Sequence, residues 1–334
     1  MTLCIAWIRQ KGETEELVFA TDSCLTGGEK WNTGIKLFEL PRKDCLLCFA
    51  GSTFRAYPLI LNLVASIKFD RRLSSQQTDV KEVLDYLTEL FSDLCADIKE
   101  GVGDIHKLRA EAEFLFGGWS WKLQKFCIWK LYYSKDAGGF IYEDYHNQQL
   151  SRTCVFLGDE IESAKELYRK EFDDDNFDAP LNMEPLKVLA VMARDKKNYQ
   201  SIEGALQIAK VYTSGTSEFF GVMWPSIDGK PSFLGRELAL SNKPPVKYVD
   251  PDTAEVIEEP LPIRLSSITE DEFGTEIEFV QSCIDDDFNI KDDLDASERH
   301  RLTLVLKDVA YKRLIKSEDN QESTNLTKRI IEDE

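Results

Sequence analysis

The opening stretch Met1-Thr2-Leu3-Cys4-Ile5-Ala6-Trp7-Ile8 carries no charge and is apolar or small at almost every position, which calls for a strand buried on both faces. Chain ends ordinarily fray, so a terminus built for burial implies that something ties it down. Loss of Met1 would leave Thr2 with a free α-amino group and a hydroxyl on one residue, at the end of a rigid strand. A base and a nucleophile would then share a single residue.

A threonine hydroxyl is a weak nucleophile and needs a neighbour to take its proton. An α-amino group, with an ordinary pKa of about 7.7–8.0, can do this near neutral pH. A nearby cation would favour the deprotonated forms of both groups, and an acid beside that cation would hold it in place. Asp22 stands at the end of the apolar run Leu17-Val18-Phe19-Ala20-Thr21. Lys36 lies inside Gly34-Ile35-Lys36-Leu37-Phe38-Glu39-Leu40, where a charge is costly unless it is paired or turned to solvent. Gly51 closes the apolar run Cys45 to Ala50; without a Cβ, its N–H can approach a developing oxyanion, although strand-end glycines also serve simply as turns.

With 334 residues, a large core is affordable. A net charge of -19 with no basic run argues against a nucleic-acid binder. No apolar run is long enough to cross a bilayer, and the start lacks the features of a signal peptide, so no membrane association and a cytoplasmic location are expected. The eight cysteines sit mostly in apolar segments, which suits reduced core thiols. Cys45 and Cys48 have the spacing of half a zinc site, but no second pair follows and the three histidines are far apart. Neither a metal nor a cofactor is expected. The chain has no Gly-x-x-x-x-Gly-Lys loop, so any ATP-driven unfolding would come from another chain.

Along the chain, buried strands give way after Thr53 to two helical patterns, one through Tyr57, Ile60, Leu61, Val64 and Ile67 and one through Val83, Tyr86, Leu87, Leu90, Leu94 and Ile98. Strands return from Ala112. Two further helices flank an acidic connection, Asp173-Asp174-Asp175, and Gly204 opens a final pair of strands. This order predicts an α+β fold, a four-layer αββα sandwich of two mainly antiparallel sheets with helices on each outer side. The domain is expected over residues 1–227. Residues 228–334 are expected to form an acidic extension with a small hairpin around Asp250-Pro251-Asp252-Thr253, a helical region and a loose tail from Glu318.

Four pieces, Thr2-Leu3-Cys4-Ile5-Ala6, Phe19-Ala20-Thr21-Asp22-Ser23, Ile35-Lys36-Leu37-Phe38-Glu39-Leu40 and Phe49-Ala50-Gly51-Ser52, carry a resemblance by their order and spacing. With them the chain resembles the N-terminal-nucleophile hydrolases of the proteasome β-subunit type, including bacterial ring proteases. The resemblance is good over about residues 1–65, is kept in element order to about 225, and is absent beyond. It implies a threonine-type peptidase in which Thr2 attacks a peptide carbonyl and Lys36, oriented by Asp22, favours the ionised hydroxyl. Gly51 would stabilise the oxyanion, Thr26 would pair with an extended substrate, and Leu25, Phe49 and Thr53 would line an apolar pocket for the side chain before the cut. It also implies a homo-oligomeric ring or stack that takes a peptide or unfolded protein, with a separate regulator or unfoldase as a possible partner. Cys24 departs from the arginine common in the family. Gly158-Asp159 replaces a Gly-Ser pair, and Asp195 and Ser201 stand where an Asp and a Ser three residues apart would be. Asp159, Asp195 and Ser201 are carried as supports of the nucleophile or, equally, as capping and loop residues. A catalytically silent assembly subunit and an amidohydrolase acting on a small amide are the rival readings.

Overall fold

The computed structural model describes residues 2–313 except 13, 27–28, 99–103, 146–152, 173–179, 239–243, 245, 258–264, 266–268, 286, 292, 296–297, 300, 307 and 311. Met1, the acidic connection Asp173-Asp174-Asp175 and the tail from Glu318 therefore lie outside the described residues. The chain divides into two compact units, Met1–Ile257 and Glu258–Glu334.

In the first unit, β1 (Leu3–Lys11) and β2 (Thr14–Thr21) form an antiparallel pair that fixes the register Cys4 to Thr21. β10 (Cys154–Gly158) flanks β1 with Leu3 opposite Gly158, and β11 (Gln207–Tyr212) flanks β2 with Gln207 opposite Thr21. β12 (Ser217–Trp224) continues the sheet and carries β13 (Lys230–Phe233) and β14 (Arg236–Glu237). β15 (Tyr248–Val249) joins β12 in parallel and pairs with β16 (Val256–Ile257), making nine strands among the described residues. A second sheet of five runs in the order β5 (Leu37–Glu39), β6 (Cys45–Gly51), β7 (Ala112–Ser120), β8 (Lys125–Ser134), β9 (Gly139–Asp144). β3 (Leu25–Thr26) and β4 (Lys30–Trp31) pair with each other, apart from the two larger sheets among the described residues.

The expected four-layer αββα sandwich is thereby corrected. The chain is a mostly antiparallel, sheet-rich α+β fold, with three sheets among the described residues. The physical reason is hydrogen bonding at a sheet edge: β12 would leave its backbone groups unpaired, and β13 and β15 satisfy them with residues past 227.

Strand alternation divides the core. Leu3, Ile5 and Trp7 join Leu186 and Leu189 of the helix Glu184–Arg194, whereas Cys4 and Ala6 meet Cys48, Leu115 and Leu157. The helices Thr53–Phe69 and Val80–Ala96 cover Leu47, Phe49, Phe114 and Trp129 of the five-stranded sheet. Each such large apolar side chain, when fully buried, contributes about 1.5–3 kcal/mol. Leu61, read from periodicity as a core residue, is 64 % exposed, as are Phe54 at 76 % and Phe69 at 83 %. The buried face is set by Leu59 and Leu63, and Leu61, two residues from each, lies about 200° round the helix. In the second unit a smaller core gathers Leu265, Phe273, Val280, Cys283, Leu302, Leu306 and Val309.

Polar groups also tie the large sheet together. Glu16 of β2 accepts from Arg9 of β1 and Lys210 of β11, both at 2.8 Å. Burial raises the Glu16 carboxyl, but Lys210 and Arg9 outweigh it and hold the group below its ordinary value of 4.5. The stability gained from this pairing is present above that value and is lost as the pH falls through the folded one. Replacing Glu16 with Gln should cost about 3 kcal/mol at neutral pH, because Lys210 is left buried without its counterion. The cost should shrink toward pH 3. Urea unfolding at the two pH values measures both.

Candidate active site

Four chain segments meet around Thr2. Residue 2 immediately precedes β1, Asp22 follows β2, Lys36 precedes β5 and Asp159 follows β10. The pairing of β1 with β2 brings Asp22 to the start of β1, where its Oδ1 accepts the Leu3 N–H at 3.1 Å. The Asp22 Oδ2 accepts the Cys24 N–H at 2.9 Å and the Glu203 N–H at 3.4 Å. The Lys36 ammonium lies 3.0 and 2.9 Å from the two Asp22 oxygens and donates to Thr2 Oγ1 at 2.6 Å. Lys36 and Asp22 are fully buried and Thr2 is 1 % exposed.

Burying an ammonium and a carboxylate carries a desolvation cost that only close pairing with further hydrogen bonds offsets. Burial pushes the Asp22 carboxyl above its ordinary value, against the pull of Lys36 and of the Cys24 and Leu3 amides. The neighbouring Cys24 thiol is also raised, by burial first and Asp22 second, so it stays protonated.

Asp159 meets the backbone of Thr2 from the other side. Its Oδ2 accepts the Thr2 N–H at 2.8 Å and its own N–H donates to the Thr2 carbonyl at 2.7 Å. This close approach depends on Gly158, at φ +110°, where a Cβ would stand 2.0 Å from the Thr2 carbonyl oxygen and 3.2 Å from Ala50 Cβ. Ala50 precedes Gly51, so the end of β6 lies beside the same glycine. Gly51 has φ +103°, and a Cβ there would sit 2.0 Å from the Glu111 carbonyl oxygen; a side chain is excluded by both conformation and space.

Not every sequence candidate joins the cluster. Asp195 ends the helix Glu184–Arg194 and gives its carboxylate to Asn198, whose N–H and side-chain amide donate at 3.2 and 2.6 Å. These bonds lower the Asp195 pKa, as expected of a capping carboxylate. Ser201 is buried, two residues ahead of the Glu203 amide that reaches Asp22. Leu25 packs on the core that contains Phe49, and Phe49 stands 6.2 Å from Phe38 and 5.6 Å from Tyr57 between ring centroids. Thr53 starts the helix beneath them and is half-buried, as is Thr26 of β3. Cys45 and Cys48 fall in different core clusters, because residues three apart on a strand face opposite ways. Among the described residues no group of three or more His, Cys, Asp and Glu side chains could hold a metal ion. No helix among them is long and apolar enough to cross a membrane.

Sequence reasoning missed Gln207, Ser23 and Glu203. Gln207 is fully buried and its amide reaches the backbone of Lys36 and Leu37 at 3.0 and 3.1 Å. Its signal was present: a lone amide in the apolar strand Ala205-Leu206-Gln207-Ile208-Ala209 demands a partner.

No protein-family model matches the chain, and no curated protein matches it. Solved structures that it is similar to include the helical assembly of the Anbu complex from Pseudomonas aeruginosa. That match is 19 % identical, covers 63 % of this chain and 81 % of the other, and has a TM-score of 0.47. Anbu (ancestral beta-subunit) from Yersinia bercovieri is 15 % identical, with 65 % and 86 % covered and a TM-score of 0.46. An Anbu (Gly-1) mutant from Hyphomicrobium sp. strain MC1 is 13 % identical, with 69 % and 89 % covered and a TM-score of 0.46. The resemblance drawn from sequence, to N-terminal-nucleophile hydrolases of the proteasome β-subunit type including bacterial ring proteases, is corrected on this finding: the structures named here are those of Anbu (ancestral beta-subunit), proteasome-like but a distinct family. The pieces that carried the resemblance end at Ser52, and such short pieces specify a site more than a family. A likeness at these scores assigns neither an activity nor a residue role.

Proposed function

We propose that the chain is a hydrolase that cleaves peptide bonds with Thr2 as an N-terminal nucleophile, once the Met1–Thr2 bond has been hydrolysed. The observation that carries this reading is the Lys36 ammonium, 2.6 Å from Thr2 Oγ1 and at the same time paired to Asp22. In a silent scaffold, well-packed apolar residues could replace this pair without loss of stability, and no lysine would be needed at the hydroxyl.

In this reading Thr2 Oγ1 attacks the carbonyl carbon of the substrate, and its proton passes to the α-amino nitrogen. Lys36 favours the oxyanion form of the hydroxyl, and Asp22 keeps the ammonium in place. The resulting ammonium of Thr2 gives its proton to the departing amine as the C–N bond breaks, leaving an ester on Oγ1. A water molecule, deprotonated by the same amine, then releases the acid. Asp159, 2.8 Å from that nitrogen before Met1 is lost, orients the amine and stabilises its protonated form. Gly51 is assigned the oxyanion N–H, and the Leu25, Phe49 and Thr53 surface is assigned an apolar side chain. Self-association belongs to the same proposal, supported by the exposed Phe54, Leu61 and Phe69, which a second copy would cover.

Intact-mass analysis before and after a tripeptidyl-leucine epoxyketone tests the reading. The expected result is a chain lacking Met1 that gains one inhibitor mass, mapped to Thr2. A chain that retains Met1, or an adduct elsewhere, would sink it. Sedimentation velocity of the full chain reports whether it assembles.

A further inference from the structure

Lys36 lies just outside β5, which begins at Leu37, so strand pairing does not hold its N–H. The N–H groups of Lys36 and Leu37 both donate to Gln207 Oε1, at 3.0 and 3.1 Å. Gln207 Nε2 donates to Ser23 Oγ at 2.9 Å and to the Gly34 carbonyl at 2.6 Å. Ser23 Oγ in turn donates to the Ala205 carbonyl. The partners fix the amide orientation, since Oε1 faces two donors and Nε2 faces two oxygens. All four hydrogen-bonding positions of the side chain are therefore used.

The amide thus does for residues 34–37 what a neighbouring strand does for β6. It also joins Lys36 to Ser23, the residue after Asp22, and so spans the two segments whose side chains form the ion pair. A turn from the far end of the sheet closes over it. Gly235, at φ +83°, is seated where a Cβ would lie 2.2 Å from Ser23 Oγ and 3.3 Å from Gln207 Nε2. Only glycine fits there.

We propose that Gln207 is a positioning residue of the Thr2 site: its side-chain amide substitutes for a missing strand, grips the Lys36 backbone and so aims the ammonium at Thr2 Oγ1. The inference rests on the proposed hydrolase for its chemistry, but its geometry can be tested separately. Gln207 touches no reacting atom and acts only through Lys36.

The test uses the full chain with Met1 removed and compares wild type with Gln207→Glu and Ser23→Ala. The first variant keeps the shape of the side chain and loses both donors. The second removes one partner and leaves Gln207 itself in place, a milder change should the first fail to fold. With the same epoxyketone, the maximal labelling rate of Gln207→Glu should fall about 10²-fold, the scale of a misplacement near 1 Å, with the inhibitor concentration for half-maximal rate unchanged. Ser23→Ala should show a smaller loss of the same kind. A crystal structure of either variant should show the Lys36 Nζ to Thr2 Oγ1 separation lengthened beyond hydrogen-bond reach. Unchanged labelling, or an unmoved Lys36 Nζ, overturns the proposal. If wild type is not labelled at all, the hydrolase reading fails while the position of Lys36 Nζ still decides the clamp: displaced supports it, unmoved rejects it.

Discussion

A Thr2→Ala protein is expected to fold, to lose Met1 and to take up no epoxyketone, with peptide hydrolysis reduced about a millionfold, the scale seen when a covalent nucleophile is deleted. The substitution removes Oγ1 and the bond it accepts from Lys36 at 2.6 Å, and leaves the α-amino group, Asp22 and Asp159 in place. The ammonium keeps both Asp22 oxygens, so the structural cost should stay within about 1–3 kcal/mol. Thr2→Ser keeps a hydroxyl on the same carbon and should retain much of the labelling, which separates loss of the nucleophile from damage to the site. Turnover of a fluorogenic peptide with mass analysis of both variants gives the answer. Equal rates for wild type and Thr2→Ala would place any activity elsewhere in the chain.

Lys36→Met should have the largest effect on stability. It leaves the Asp22 carboxylate fully buried without its cation, a change that costs about 3–5 kcal/mol when a buried pair is broken. The carboxyl is already pushed up by burial in the intact pair, and removal of Lys36 pushes it further. A raised folded pKa means that stability is fully present below the ordinary aspartate value and is lost as the pH rises through the folded one. The deficit of Lys36→Met should therefore be small near pH 4 and grow toward pH 8. Lys36→Met with Asp22→Asn should recover much of the stability, since the amide is neutral and still accepts from Leu3 or Cys24. Its labelling should stay at background. Denaturant titrations across pH, followed by labelling, separate the role of the pair in folding from its role at the hydroxyl.

The readable part of the site was the part carried by strand ends. Thr2, Asp22 and Lys36 stood out because each is polar beside an apolar run, and a buried charge without a partner is too costly to persist. Pairing of β1 with β2 then brings residues some twenty positions apart together. Asp195 shows the limit of this reasoning. Spacing along a loop does not tell which way a carboxylate turns, and Asn198, three residues on, takes the one on Asp195. Leu61 shows another limit. An apolar residue on a helix was assigned to the core by its period, yet the neighbouring sheet covers only the face set by Leu59 and Leu63.

What the chain determined locally was the type of each element and the chemistry at its ends, because strand alternation, helix period and the cost of burying charge act over a few residues. The partners of those ends were decided only in three dimensions. Gln207 reaches Lys36 across 171 positions and Asp159 reaches Thr2 across 157, and Gly235 closes over Ser23 from a turn after β13. The extent of the large sheet was settled in the same way, by unpaired backbone at the edge of β12 finding β13 and β15. Hydrogen-bond satisfaction in a packed interior is a property of the whole fold, and no window of sequence contains both halves of such a bond.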